Sequence, residues 1–134
     1  MSRNKARETA LQMSFQLDVG KNDWTMAQAT LNESGISAEN QEFVLSLVQG
    51  TLRHLQKIDQ LINKYSNQWQ VDRLANVDRS ILRMAVYELH FLSGSEPKIA
   101  INEAIELAKK YSTEESGAFV NAILDSINKD GQAE

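Results

Sequence analysis

Hydrophobic residues recur at spacings of three and four along most of the chain, a pattern that predicts amphipathic helices. The clearest stripe extends over about six helical turns. It consists of Phe43, Val44, Leu47, Val48, Leu52, Leu55, Ile58, Ile62 and Tyr65. Ser37 precedes this stripe as a predicted N-cap, with Glu39 in the acidic first turn. Gly50 lies inside it, and because glycine weakens a helix by about 1 kcal/mol, we expect a kink or split there.

Shorter stripes of the same kind predict the other helices. They cover residues 3–17, 23–32, 77–92, 101–111 and 119–127. Breaks are expected at Gly20, at Gly35, in a loop with Trp69 and over residues 93–97. Ser112 with Glu115 has the spacing of a capping box at the start of the last helix. Since no window alternates every second residue as a half-buried strand does, the predicted fold class is all-α.

Length and composition are those of an ordinary globular chain. The 134 residues are 42% hydrophobic and 24% charged, which predicts one domain over residues 1–134 that folds without a metal or disulfide. There is no cysteine, which excludes disulfides and thiol nucleophiles. No apolar run reaches the roughly 18 residues of a membrane span, and none near the start is typical of a signal peptide. We therefore expect no membrane association and a cytoplasmic location.

Residues suited to catalysis are scarce. The two histidines, His54 and His90, have no second ligand at metal-binding spacing. Glu106 lies three and four residues before Lys109 and Lys110, which predicts surface ion pairs. No phosphate-binding glycine loop or nucleophile elbow is present. The chain is predicted to be no enzyme and to need no metal or cofactor.

The beginning of the chain is basic although the formal net charge is −4. Arg3, Lys5 and Arg7 fall in the first turns of the first predicted helix, where the helix dipole disfavours cations. A bound anion would gain both the free N–H groups and these charges. The alternative is a solubilising tail. Because an acidic protein repels nucleic acid at long range, any RNA affinity must be local.

Two residues of the last predicted helix have alternative interpretations. Phe119 is either a core residue or a platform on which an unpaired base stacks. Asn121 has a low helix propensity, which is a weak indication of a role in binding. The sequence alone leaves both alternatives open.

Arg79 and Arg83 lie one turn apart on the polar side of a predicted helix. They either pair with nearby acids, such as Asp78 or Glu88, or contact a partner or a phosphate. We keep Arg79 and Arg83 as candidate partner-binding residues.

Several long motifs resemble the NusB family of transcription antitermination proteins. They are VDRSILRMAVYEL at residues 77–89, PKIAINEAIELAKKY at 97–111 and FVNAILD at 119–125. Ala6-Arg7-Glu8 leading to Phe15 is similar to the first helix of the family. The resemblance covers nearly the whole chain and is loose only over about residues 20–42. It implies about seven helices arranged as two small helical subdomains.

The resemblance also implies a function. Family members bind the boxA element of ribosomal RNA leaders together with NusE, a small-subunit ribosomal protein, and help RNA polymerase read through terminators. By position, it implies that single-stranded RNA is bound by Arg3, Lys5, Arg7, Glu115, Phe119 and Asn121. It likewise implies that Phe15 and Asp78 meet NusE. The alternative is a homodimeric helical interaction module without specific RNA binding.

Overall fold

Seven α-helices make up the fold of the part of the chain that the computed structural model describes, namely residues 3–19, 24–66 and 70–133. They are α1 (Arg3–Val19), α2 (Trp24–Asn32), α3 (Ala38–Arg53), α4 (Leu55–Tyr65), α5 (Asn76–His90), α6 (Pro97–Tyr111) and α7 (Glu114–Ala133). A short 3-10 turn, Val71–Arg73, precedes α5. No strand occurs within the described ranges, and the predicted all-α class is confirmed. The breaks predicted at Gly20 and Trp69 lie outside these ranges.

The long hydrophobic stripe is divided into α3 and α4, but the break falls at His54 and not at Gly50. Gly50 remains helical because the Tyr87 ring packs directly against it, in the space that a Cβ atom would need. The His54 backbone N–H donates to the Gly50 carbonyl at 3.1 Å and closes α3. Its ring lies 4.3 Å from the Phe91 ring, centroid to centroid. Side-chain packing, and not glycine's low propensity, therefore sets the position of the break.

The helix starts are explained by their capping residues. The Ser37 hydroxyl accepts from the Asn40 backbone N–H at 3.2 Å, as predicted for an N-cap. Helix α6 begins at Pro97, earlier than its hydrophobic stripe, because proline suits the first helical turn. The predicted Ser112–Glu115 capping box is wrong by one residue: Thr113 Oγ1 accepts from the Ser116 backbone N–H at 3.0 Å.

The helices form two groups, as the family resemblance implied. In the first group, α1 packs against α2 and α3; in the second, α6 packs against α5 and α7, and α4 against α5 and α7. Helix α5 also contacts α1 and α3 and so joins the groups. The largest fully buried side chains come from both groups: Met13, Leu31, Val44, Leu47, Val48, Ile58, Ile62, Ile81, Leu82, Val86, Leu124 and Ile127. Within the described ranges, none of the helices is both long and apolar enough to cross a bilayer.

Candidate nucleic-acid interface

Arg3, at the start of α1, is exposed and lies over an aromatic ring of α3. Its Cζ atom is 4.0 Å from the centroid of the Phe43 ring, a cation–π distance. Its Nη1 atom donates to Asn40 Oδ1 at 3.4 Å. These contacts oppose the unfavourable position of a cation at a helix N-terminus. Arg3 is thus ordered against the protein, in contrast to the expected alternative of a solubilising tail.

Arg7, one turn later, points into the protein. The residue is 7% exposed, and its Nε and Nη2 atoms donate to the two carboxylate oxygens of Glu88 at 3.3 and 2.5 Å. Ser95 Oγ donates to the same carboxylate at 3.0 Å. Because its guanidinium is used internally, Arg7 does not present its charge at the surface, contrary to the expectation from sequence. It ties α1 to the end of α5 and to the loop that follows.

Lys5 is exposed and lies beside a depression of about 310 Å³. The other residues that line this depression are Glu8, Thr9, Leu11, Gln12, Phe15, Val77 and Tyr111. Phe15, a predicted partner-binding residue, is 37% exposed there, and Tyr111 is 46% exposed. Two aromatic side chains therefore lie at the surface of the depression that the exposed Lys5 also lines. Tyr111 did not emerge from the sequence, where it appeared only as part of the α6 stripe.

Lys110 bonds to Glu8, one of the residues that line this depression. Its Nζ atom donates to Glu8 Oε2 at 2.6 Å, so it pairs with α1 and not with Glu106 as the sequence spacing predicted. The hydrogen bond from Lys110 holds the pKa of the Glu8 carboxyl below its ordinary value. In return, the hydrogen bond to Glu8 raises the pKa of Lys110. This pair fixes the end of α6 against α1.

Phe119 is half-buried near the start of α7. It packs against the core and also lines a second depression, of about 300 Å³. The other lining residues are Arg73, Leu74, Ala75, Thr113, Glu115 and Ser116. Glu115 is exposed at this site, and Asn121 is exposed farther along α7 without lining it. Phe119 is therefore partly a core residue with some exposed surface, and its role as a stacking platform stays a prediction.

Asp78 anchors the start of α7 to the start of α5. Its Oδ2 atom accepts from Ser116 Oγ at 2.9 Å, while Oδ1 is buried without a hydrogen-bond partner in the described part of the chain. The hydroxyls of Ser112 and Thr113 lie 2.9 and 3.1 Å from Ser116 Oγ. Residues 74 to 78 border both depressions, because Val77 lines the first and Leu74 the second. Asp78 thus directly follows a segment whose residues line both depressions.

Arg79 and Arg83 form internal ion pairs. Arg79 Nη2 lies 2.7 Å from Asp18 Oδ2, and Arg83 Nε lies 2.9 Å from Asp59 Oδ1. Their side chains are only 13% and 16% exposed. Both arginines thus pair with acids, but the expectation of local pairing with Asp78 or Glu88 is wrong, because the partners are the distant Asp18 of α1 and Asp59 of α4. Their guanidinium groups hold helices together and offer little surface to a partner.

The described residues contain no group of three or more His, Asp or Glu side chains placed to hold a metal ion. On the surface, Lys5, Phe15 and Tyr111 line the first depression and Phe119 lines the second. Arg3 lines neither of them and lies over Phe43 of α3. The fold and this surface define an all-helical protein of two packed helix groups, with cationic and aromatic side chains exposed where the groups adjoin.

Comparison with known proteins gives the family. Residues 4–129 match the model of the NusB family, and the chain belongs to that family, as the sequence motifs indicated. It is 48% identical over 128 residues to the transcription antitermination protein NusB of Syntrophomonas wolfei, covering 95% of this chain and 96% of that one. It is 43% identical over 136 residues to the NusB protein of Desulforamulus reducens, covering 99% and 95%.

A solved structure shows the same fold. The chain is similar to one described as antitermination factors NusB and NusE in complex with double-stranded RNA. The TM-score is 0.86 with 35% sequence identity, and the match covers 96% of each chain.

Proposed function

We propose that this chain is an RNA-binding transcription antitermination factor that binds boxA RNA together with NusE, within the antitermination complex of RNA polymerase. The observation that carries the proposal is its similarity, over 96% of its length, to a fold solved in complex with NusE and double-stranded RNA. The chain would act as one RNA-binding unit over residues 1–134. It would act by binding and not by catalysis, in the cytoplasm, where bacterial transcription takes place.

The proposed RNA surface uses the exposed residues among the predicted set. Arg3 and Lys5 would neutralise phosphates, and the exposed part of Phe119 would stack on an unpaired base. Glu115 and Asn121 are exposed on the same helix and would contact the bases near Phe119. Arg7 would act indirectly, since its ion pair with Glu88 holds the first turns of α1 in place.

The proposed NusE surface is the depression that contains Phe15. An exposed aromatic side chain in an apolar pocket is a typical anchor of a protein interface. Asp78 would support this surface from the start of α5, where its Oδ2 atom accepts from Ser116 Oγ at 2.9 Å. Arg79 and Arg83 would support this surface from within through Asp18 and Asp59. A basic partner would also offset the net charge of −4.

The test is a gel-shift titration with single-stranded boxA RNA, a scrambled strand and a boxA duplex, each with and without NusE. We expect preference for boxA over the scrambled strand, tighter binding with NusE, and weaker binding at higher salt. Changing Arg3 and Lys5 together to alanine should lower the magnitude of the log–log salt slope by about 1.4, two phosphate contacts at about 0.7 each. The matched control changes the exposed Arg53 and Lys57, near the α3–α4 junction, to alanine and should leave the slope unchanged.

Equal affinity for boxA and scrambled RNA, unaffected by NusE, would contradict the proposal. Light scattering over a range of concentrations, with and without RNA, would then show whether the chain is a homodimeric interaction module instead.

A further inference from the structure

The Phe43 ring is the surface against which Arg3 is ordered. Phe43 is half-buried and packs against the core, so its position is set by α3 and not by Arg3. Asn40, one turn earlier on α3, is buried, and its backbone N–H is held by the Ser37 cap. The ring and the Asn40 side-chain oxygen therefore form a preformed contact surface for the Arg3 guanidinium.

Arg7 lies against the same ring. Its Cζ atom lies 5.2 Å from the Phe43 ring centroid, and its ion pair with Glu88 fixes it there. Arg3 and Arg7 are four residues apart and thus lie on one face of α1. The buried Arg7 and the core together therefore limit the movement of the Phe43 ring.

A guanidinium stacked on a ring keeps its N–H edge free for a second ligand. Arg3 donates one hydrogen bond within the described structure, to Asn40, and the residue is otherwise exposed to solvent. Phosphate matches the planar fork of arginine. An arginine that is already ordered loses less conformational entropy on binding than a free one.

We propose that Phe43 is a positioning residue for RNA binding: its ring stacks beneath the Arg3 guanidinium and orders it to receive a backbone phosphate. This rests on the proposed function, in which Arg3 contacts RNA. Phe43 was missed in the sequence, where it is one member of the α3 stripe. No local pattern indicates that an arginine 40 positions earlier covers it.

The experiment is a double-mutant cycle on the affinity for single-stranded boxA RNA, measured by fluorescence anisotropy. Phe43→Leu, which removes the ring face but keeps apolar volume, should weaken binding by between about 2-fold and about 10-fold. In an Arg3→Ala background, Phe43→Leu should not weaken RNA binding further. In a Lys5→Ala background, Phe43→Leu should weaken RNA binding by the same factor as in the wild type. Phe43→Trp, which restores an aromatic face, should retain wild-type affinity. Circular dichroism and thermal unfolding check that each variant is folded.

The outcomes separate this inference from the proposed function. If Arg3→Ala weakens binding and Phe43→Leu does not, the positioning role is wrong while the RNA surface stands. If Phe43→Leu is equally harmful with and without Arg3, Phe43 acts independently of Arg3 and the inference also fails. If Arg3→Ala leaves RNA affinity unchanged, both the inference and the proposed role of Arg3 are contradicted.

Discussion

Arg7 and Glu88 form a buried ion pair across 81 positions of the chain, with side chains only 8% and 6% exposed. Two charges removed from water stabilise a fold only when each satisfies the other. Both Glu88 oxygens accept from Arg7, and Ser95 adds a further donor. The pair therefore fixes the register of α1 against α5, and through α1 the position of the exposed Arg3 and Lys5.

Removing the arginine should be strongly destabilising. We predict that Arg7→Ala lowers the free energy of unfolding by about 3–5 kcal/mol, because the Glu88 charge would stay buried without its partner. Lys5→Ala, a change two residues away at an exposed position, should alter it by no more than about 0.5 kcal/mol. Urea denaturation, monitored by circular dichroism, measures the free energy of unfolding of both variants. Equal midpoints for the two variants would show that the pair does not hold α1 in place.

The contact between Gly50 and Tyr87 predicts a second large effect. Gly50→Ala should destabilise the protein by about 1–3 kcal/mol, because the new methyl group would collide with the buried Tyr87 ring. Gly117→Ala is the matched control within α7, where the methyl group meets only the side chain of exposed Lys109. Its stability should stay within about 1 kcal/mol of the wild type, since alanine also favours the helix. Thermal unfolding of both variants tests this, and a Gly50→Ala protein as stable as Gly117→Ala would refute the close packing.

The bond between Glu8 and Lys110 has a defined pH dependence. The folded-state pKa of Glu8 lies below its ordinary 4.5, so the carboxylate's contribution to stability is present above that pH and is lost as the pH falls through the lowered pKa. The pKa of Lys110 is raised above 10.5, so its contribution is present below that pH and is lost only as the pH rises through the raised value. The bond thus persists throughout the neutral range.

Carboxyl NMR titration measures this directly. Lys110→Met should shift the pKa of Glu8 upward, toward or beyond 4.5, because the hydrogen bond that lowers it is lost. Lys129→Met, which removes a lysine paired with Asp125 instead, should leave Glu8 unchanged. An identical Glu8 titration in the wild type and Lys110→Met would contradict the pairing.

The partner surface predicts a selective loss of NusE affinity. Phe15→Ala should weaken binding to NusE by at least about 5-fold, the effect of removing an interface anchor, without changing the affinity for RNA alone. Leu52→Ala is the control, because Leu52 is 50% exposed but lines a different cleft, between α1, α3 and α5. Isothermal titration calorimetry with NusE measures the affinity of each variant for NusE. Equal losses for Phe15→Ala and Leu52→Ala would remove the specific role of the Phe15 depression.

Local periodicity was sufficient to predict the helices, because each buries one stripe of its own sequence. It also gave the Ser37 cap, where the interaction spans three residues. Local periodicity gave a wrong prediction where a contact with a residue distant in the chain determines the local structure. The helix break moved from Gly50 to His54 because Tyr87 fills the space beside Gly50, and no local rule contains that contact.

The sequence likewise identified the residue types of the candidate site but not their tertiary contacts. The sequence identified the basic start of α1, but it could not separate exposed Arg3 from buried Arg7, since Glu88 is far away in the chain. Likewise, the spacing of Glu106 and Lys110 predicted a pair along α6, whereas Lys110 bonds to Glu8, 102 positions earlier. Exposure, ion-pair partners and the stacking of Arg3 on Phe43 are properties of tertiary packing and required the structure.

The most direct test of the RNA surface is an NMR titration of the isotope-labelled protein with single-stranded boxA RNA at low salt. We predict that the largest amide shift changes fall in the first turn of α1, around Arg3 and Lys5, and in α7 from Glu115 to Asn121. Residues at the α3–α4 junction, such as Leu52 and His54, should stay unperturbed. Shift changes confined to that junction, with the starts of α1 and α7 unaffected, would contradict the proposed RNA surface.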